Sequence, residues 1–195
     1  MKTTLVTAPT GVVVDLETMK GHLRVDHDAD DFYIETLTKS ALACVENITN
    51  RKLLTQTWTA YADEWPRGDQ FTLPYGKLQS VTSVIYLDED GTSNTVDSGD
   101  YIVDILSDPG RVVLEADKSW PTETLYPSNP IQITYTCGYG VAADVPAPIK
   151  AAMMLLVGDA YANRESFVVG QSQTIQVIPN YLTGLLSSYR LGWFV

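Results

Sequence analysis

Residues 26–31 read Asp26, His27, Asp28, Ala29, Asp30, Asp31, and five of these six side chains are of types that ligate metals. Asp26, Asp28 and Asp30 match positions 1, 3 and 5 of the helix-loop-helix calcium loop, which supplies oxygen ligands there. The match then fails twice. Position 6 needs a glycine for the sharp turn and holds Asp31, and position 12 needs a bidentate glutamate and holds Leu37. Zinc is no better served: His22 and His27 are the only histidines, and neither Cys44 nor Cys137 stands in a Cys-x-x-Cys pair. A helix start accounts for the same acids without an ion, because free N–H groups and the macrodipole favour negative charge there. The stretch is therefore expected to be mainly a cap, with no metal bound.

Other chemistry is equally sparse. The chain has no G-x-S-x-G elbow, no G-x-x-x-x-G-K-[ST] phosphate loop and no H-E-x-x-H. Cys137-Gly138-Tyr139-Gly140 has two glycines but not the phosphate-loop spacing, and reads as a strand-exit turn. Asp63-Glu64 and Asp88-Glu89-Asp90 lie in turn-rich stretches and read as solvated loop charge. Trp58, Tyr61, Trp65 and Trp120 could stack on sugars, although such residues more often fill a β-rich core. No catalytic residue, cofactor or metal site is expected.

The elements that position these residues follow from hydrophobic periodicity. Ile34, Leu37, Ala41, Cys44, Val45 and Ile48 form one stripe at helical period, predicting a helix near 30–50 with Arg51 and Lys52 at its positive-favouring end. Cys44, on that stripe, is expected to be a small core residue. A short helix is expected from about Asp15. Residues 56–137 alternate β-branched and aromatic positions between turn signals, with Asp90-Gly91 as a hairpin turn. After Pro146 and Pro148, a helix near 149–163 is apolar on most faces and should be central, with Met153 and Leu156 most buried and Gly158 permitting close packing. Residues 166–178 read as a loop, and a last helix starts near Pro179 with Tyr181, Leu182, Leu185, Leu186 and Tyr189 as its stripe. The predicted class is α+β: a helical core with an inserted antiparallel β region, within a single domain spanning 1–195.

The formal net charge is −11. Residues 1–110 hold 18 acids and 8 bases, whereas the last 30 residues carry one charge, Arg190. Such acidity argues against ordinary nucleic-acid binding, which rests on lysine and arginine neutralising phosphates. No apolar run is long enough to cross a bilayer, and the first residues lack the apolar core of a signal peptide, so synthesis in the cytoplasm is expected, without a Cys44–Cys137 disulfide.

Several segments recur in one order in a known family: HLRVDHDADDFYIETLTKSALACVENITNRKLL, LPYGKLQSVTSVIYLDEDG, SWP, ITYTCGYG and VPAPIKAAMMLLVGDAYANRE. Over about residues 14–165 the chain resembles the tailed-phage head-tail connector, or adaptor, proteins. Lys77 departs from the pattern, which often has proline in that segment. The resemblance implies a virion neck protein with no catalytic residues. It implies a self-assembled ring of about twelve copies beneath the portal protein. It also implies a platform for the stopper or tail-completion protein, with double-stranded DNA passing through the lumen. A lumen of the chain's own negative sign would repel phosphate and let DNA slide. The charge-poor end supplies the candidate portal or subunit interface: Tyr189, Arg190, Leu191, Trp193, Phe194 and Val195. Residues 179–195 would then be a docking arm, although the last helix could equally fold onto the chain's own core. Two other classes stay open: another ring-forming virion component, such as a stopper or tail terminator, and a β-rich sugar- or calcium-binding module.

Overall fold

The computed structural model describes residues 1–163 and 180–192. The described residues form two compact units: a helical one from residues 11–49, 140–163 and 180–190, and a β one from residues 1–10, 50–139 and 191–192. The class is α+β, as the periodicity implies.

In the helical unit, α1 (Leu16–Leu23) starts where Asp15 Oδ1 accepts the Thr18 N–H at 2.8 Å, and the bond holds this carboxyl below its ordinary value. Arg24 ends the helix in the left-handed region (φ 57°). The long helix α2 (Asp31–Thr49) buries Ile34, Ala41, Val45 and Thr49. Cys44 is exposed, against expectation. At about 100° per residue it stands about 80° around from Ile34, whereas Ala41 and Val45 stand within about 20°, so the buried stripe is narrower than the apolar one. No base lies in the last turn of α2, and Arg51 and Lys52 fall beyond it.

Pro146 precedes α3 (Ala147–Ala162), which runs against α1, α2 and the last helix, α4 (Asn180–Leu186). Ile149, Ala152, Met153 and Val157 are buried; Met153 fits expectation, but Leu156 is only half-buried and Leu155 is exposed. A helix apolar on most sides has no polar face by which its sequence ranks the others, so the neighbouring helices decide. Gly158 is not a point of enforced approach, since a Cβ there would meet His22 Nε2 at an ordinary 3.5 Å.

The β unit is built around β8 (Ile131–Cys137), whose burial alternates at period two: Ile131, Ile133, Tyr135 and Cys137 face inward. It pairs antiparallel with β2 (Gln56–Ala62) on one side and β4 (Leu78–Leu87) on the other. The edges are β1 (Lys2–Thr7) beside β2 and β5 (Ser93–Thr95) beside β4. A second sheet has β7 (Arg111–Leu114) between β3 (Gln70–Thr72) and β6 (Tyr101–Asp104). Both sheets feed one core that includes Phe71, Val84, Val112, Trp120, Ile133 and Tyr135. Tyr135 donates its hydroxyl to Pro74 O at 2.9 Å, and burial pushes its phenol well above the usual range. The strand β1 was not anticipated, because five of its six residues are exposed and no alternation marks it.

Truncating a fully buried α3 side chain leaves a cavity, so Met153→Ala should cost about 2–5 kcal/mol in urea unfolding. Leu156→Ala should cost clearly less, and equal losses would contradict this burial order.

Candidate functional site

The acidic stretch makes tertiary ties. Lys20, on α1, is buried, with Nζ 2.6 Å from Asp28 Oδ1 and 2.9 Å from Asp31 Oδ1. The ammonium holds the Asp28 carboxyl below its ordinary value, and the two carboxylates hold Lys20 protonated well above its own. Asp30 accepts a short hydrogen bond from the Tyr161 hydroxyl of α3. The acids do stand at a helix start, as expected, but they also join that start to α1 and α3. No cluster of three metal-ligating side chains occurs among the described residues. Lys20 escaped sequence reasoning because a lysine next to Met19 ordinarily keeps its head in water.

The remaining carboxylates shape loops. Asp63 Oδ1 accepts the Asn129 N–H at 2.8 Å. Asp88 accepts from the Thr92 N–H, then from Asn94 Nδ2 and the Asp90 N–H, which depresses its pKa and closes the β4–β5 turn around Gly91 (φ 80°). Gly138 (φ 124°) is required by its neighbours: a Cβ there would stand 2.3 Å from Leu54 O. The glycine pair therefore serves a strand-exit turn. The described tryptophans, Trp58, Trp65 and Trp120, pack against other aromatic side chains. Trp65 and Trp120 lie parallel at 4.9 Å, and Phe71 meets Trp120 edge-on at 5.3 Å. Trp58 lies 5.0 Å from the Tyr75 ring, and Lys52 Nζ sits over both.

The surfaces that could meet a partner are the further functional candidates. Of the terminal residues singled out above, Tyr189 is half-buried and Arg190 exposed. Leu191 is 5% exposed. Its Cδ1 would meet a Cβ added at Gly76 at 2.9 Å, in a niche shared with the bidentate Arg51–Asp108 pair (2.9 and 2.8 Å). Trp193, Phe194 and Val195 lie outside the described residues. In α4, Leu182 and Leu186 are buried at home.

The sequence reading missed a second surface, the β6–β7 connection. Leu106 is 93% exposed, with Ile102 and Ile105 half-exposed beside it. This apolar tip stands on a hydrogen-bonded base. The Asp104 carboxylate accepts from the N–H groups of Leu106 and Ser107, each at 3.0 Å, from Ser107 Oγ and from Arg111 Nη2 at 2.6 Å. The bonds from Ser107 first, then Arg111, hold it well below the usual carboxylate range. On α2, Phe32 is likewise exposed.

The model of the head completion protein family matches residues 13–191. No curated protein matches the chain. Among solved structures, a chain in the neck of an empty gene transfer agent particle, computed with C6 symmetry, shares 21% identity at TM-score 0.78, with 100% of this chain and 98% of that one covered. A chain in the neck of the native particle, computed with C12 symmetry, shares 20% identity at TM-score 0.78 over the same shares. A chain of the native gene transfer agent virion shares 21% at TM-score 0.79, again over 100% and 98%.

Because the Asp28 pKa is depressed on folding, the Lys20 tie contributes stability above the ordinary aspartate range and loses it as pH falls through the lowered value. Lys20→Met should therefore melt below the parent at pH 7, and the gap should narrow as pH drops from about 4 downward. A gap independent of pH would show that the tie is not electrostatic.

Proposed function

We propose that this chain, which belongs to the head completion protein family, is a structural head-tail adaptor: a ring-forming neck protein, not an enzyme. The observation that carries the reading is the family match over 13–191, nearly the whole chain. The end-to-end likeness in fold to neck chains of particles with C6 and C12 symmetry supports it. On this reading about twelve copies sit beneath the portal protein at one vertex of the head. They offer the opposite face to a stopper or tail-completion protein and leave an axial passage for double-stranded DNA.

The surface chemistry agrees with that role. A passage lined by chains of formal charge −11 would not grip phosphate, so the genome could slide through. No helix among the described residues is long and apolar enough to cross a membrane. The tryptophans that could have served a sugar site are engaged with one another, with Phe71 and with Tyr75. For the portal contact, Trp193 and Phe194 are the aromatic anchors of choice. Among the described terminal candidates, Leu191 is already engaged, since its side chain fills the Gly76 niche.

The test is completion of DNA-filled heads in vitro, scored as finished particles. The full chain should complete portal-bearing heads, and a chain lacking Trp193, Phe194 and Val195 but retaining Leu191 should fold and complete clearly fewer. Aromatic anchors in such contacts contribute about 2 kcal/mol or more each. Equal completion by both chains would remove the terminus from the docking role. Failure of the full chain, under conditions in which a known adaptor works, would refute the adaptor reading.

A further inference from the structure

The five-stranded sheet runs β1-β2-β8-β4-β5, and among the described residues neither β1 nor β5 has a strand on its outer side. Four antiparallel steps separate the two edges, so β1 and β5 point the same way. A bare strand edge presents unpaired N–H and C=O groups and is a template for another strand. On β1, Leu5 and Val6 are also exposed, and the pairing with β2 shifts register between Leu5 and Thr7.

The two ends of this sheet differ in charge. The β1–β2 side, residues 1–10 and 50–64, holds Lys2, Arg51 and Lys52 against Asp63 and Glu64, which directly follow β2. Residues 88–100, the β5 side, include Asp88, Glu89, Asp90, Asp97 and Asp100 and no base. Some of these groups are engaged at home: Arg51 with Asp108, Asp88 within its turn, and Asp100 with Lys118. Lys2 on the first edge and Glu89, Asp90 and Asp97 beside the second are all exposed. Pairing like edges, β1 with β1 or β5 with β5, would bring like charges together. Pairing unlike edges brings opposite charges together, and it is head-to-tail, the kind of contact that closes into a ring.

We infer that the β1 edge of one copy adds to the β5 edge of the next as a parallel strand, so that the sheet continues from subunit to subunit around the ring. This rests on the ring reading above and names its joint. Strand β5 spans only three residues, and parallel pairing is slightly less stable per residue than antiparallel. Each joint is therefore weak alone, so the free chain is monomeric and rings form where a template gathers copies.

The experiment uses the full chain with Cys44→Ser, which removes the exposed thiol, loaded onto portal-bearing heads. Thr3→Cys, Thr4→Cys or Leu5→Cys is combined in the same chain with Ser93→Cys, Asn94→Cys or Thr95→Cys, and the heads are oxidised mildly. At least one combination should give a ladder of covalent multimers on a non-reducing gel, and no single variant should. In parallel, Lys2→Glu should lower ring occupancy on heads several-fold, and adding Glu89→Lys and Asp90→Lys to the same chain should restore it. Rings visible by electron microscopy with no ladder in any combination would overturn the edge inference and leave the ring reading standing. Dimers from a β1 single variant would also overturn it, in favour of like edges meeting. Absence of rings on competent heads would remove both.

Discussion

A strand hydrogen-bonded along both edges has almost no freedom of register, and β8 is held in this way by β2 and β4 over its full length. Because Ile131, Ile133, Tyr135 and Cys137 are fully buried, a slip of one residue would turn Gln132, Thr134 and Thr136 into the core. The hydroxyl pairs Thr57–Thr136 and Thr59–Thr134 mark the same register on the other face. The Tyr135 bond to Pro74 then fixes the loop beside β3, and through it the approach of the second sheet. What the β unit displays at its edges and tips is thus set by one central strand.

The helical unit buries a charged side chain and answers it with acids from the next helix start. Lys20 is surrounded, and the acids that answer it stand in the most conspicuous motif of the sequence. Removing either side would leave charge buried or crowded, which is why these residues resist reading as decoration or as a metal loop. In the β unit, the Arg51–Asp108 pair does a comparable job beside Gly76, whose missing side chain makes room for both ions and for Leu191.

Local pattern made much of this legible. The α+β order, both long helices, the Asp90-Gly91 turn and the glycine strand exit follow from periodicity and backbone preference. Partner choice at a distance was less legible. Nothing local distinguishes Lys20 from a solvated lysine, or Leu191 from an exposed tail residue; each is decided by a group 8 residues away in one case and more than 100 in the other. The strand β1 lacks alternation because it borrows its order from β2. Cys44 and Leu156 show the limit of stripe reading, since periodicity gives the side of a helix but not the width of what covers it. For the candidate surfaces, the aromatic terminus stood out by composition. The β6–β7 tip did not, because Ile-Leu in a short loop looks like any strand end.

That tip has a kinetic consequence. Its side chains are displayed to solvent while its backbone is tied to Asp104 by hydrogen bonds within the loop. A partner meeting Leu106 finds a surface already in shape, with little order left to acquire on contact. Capture by this tip would then be limited by how often the two bodies collide in the right orientation, and not by a search through loop conformations. On the adaptor reading, a ready-made contact favours prompt arrival of each copy, and endurance can be left to the contacts that form later.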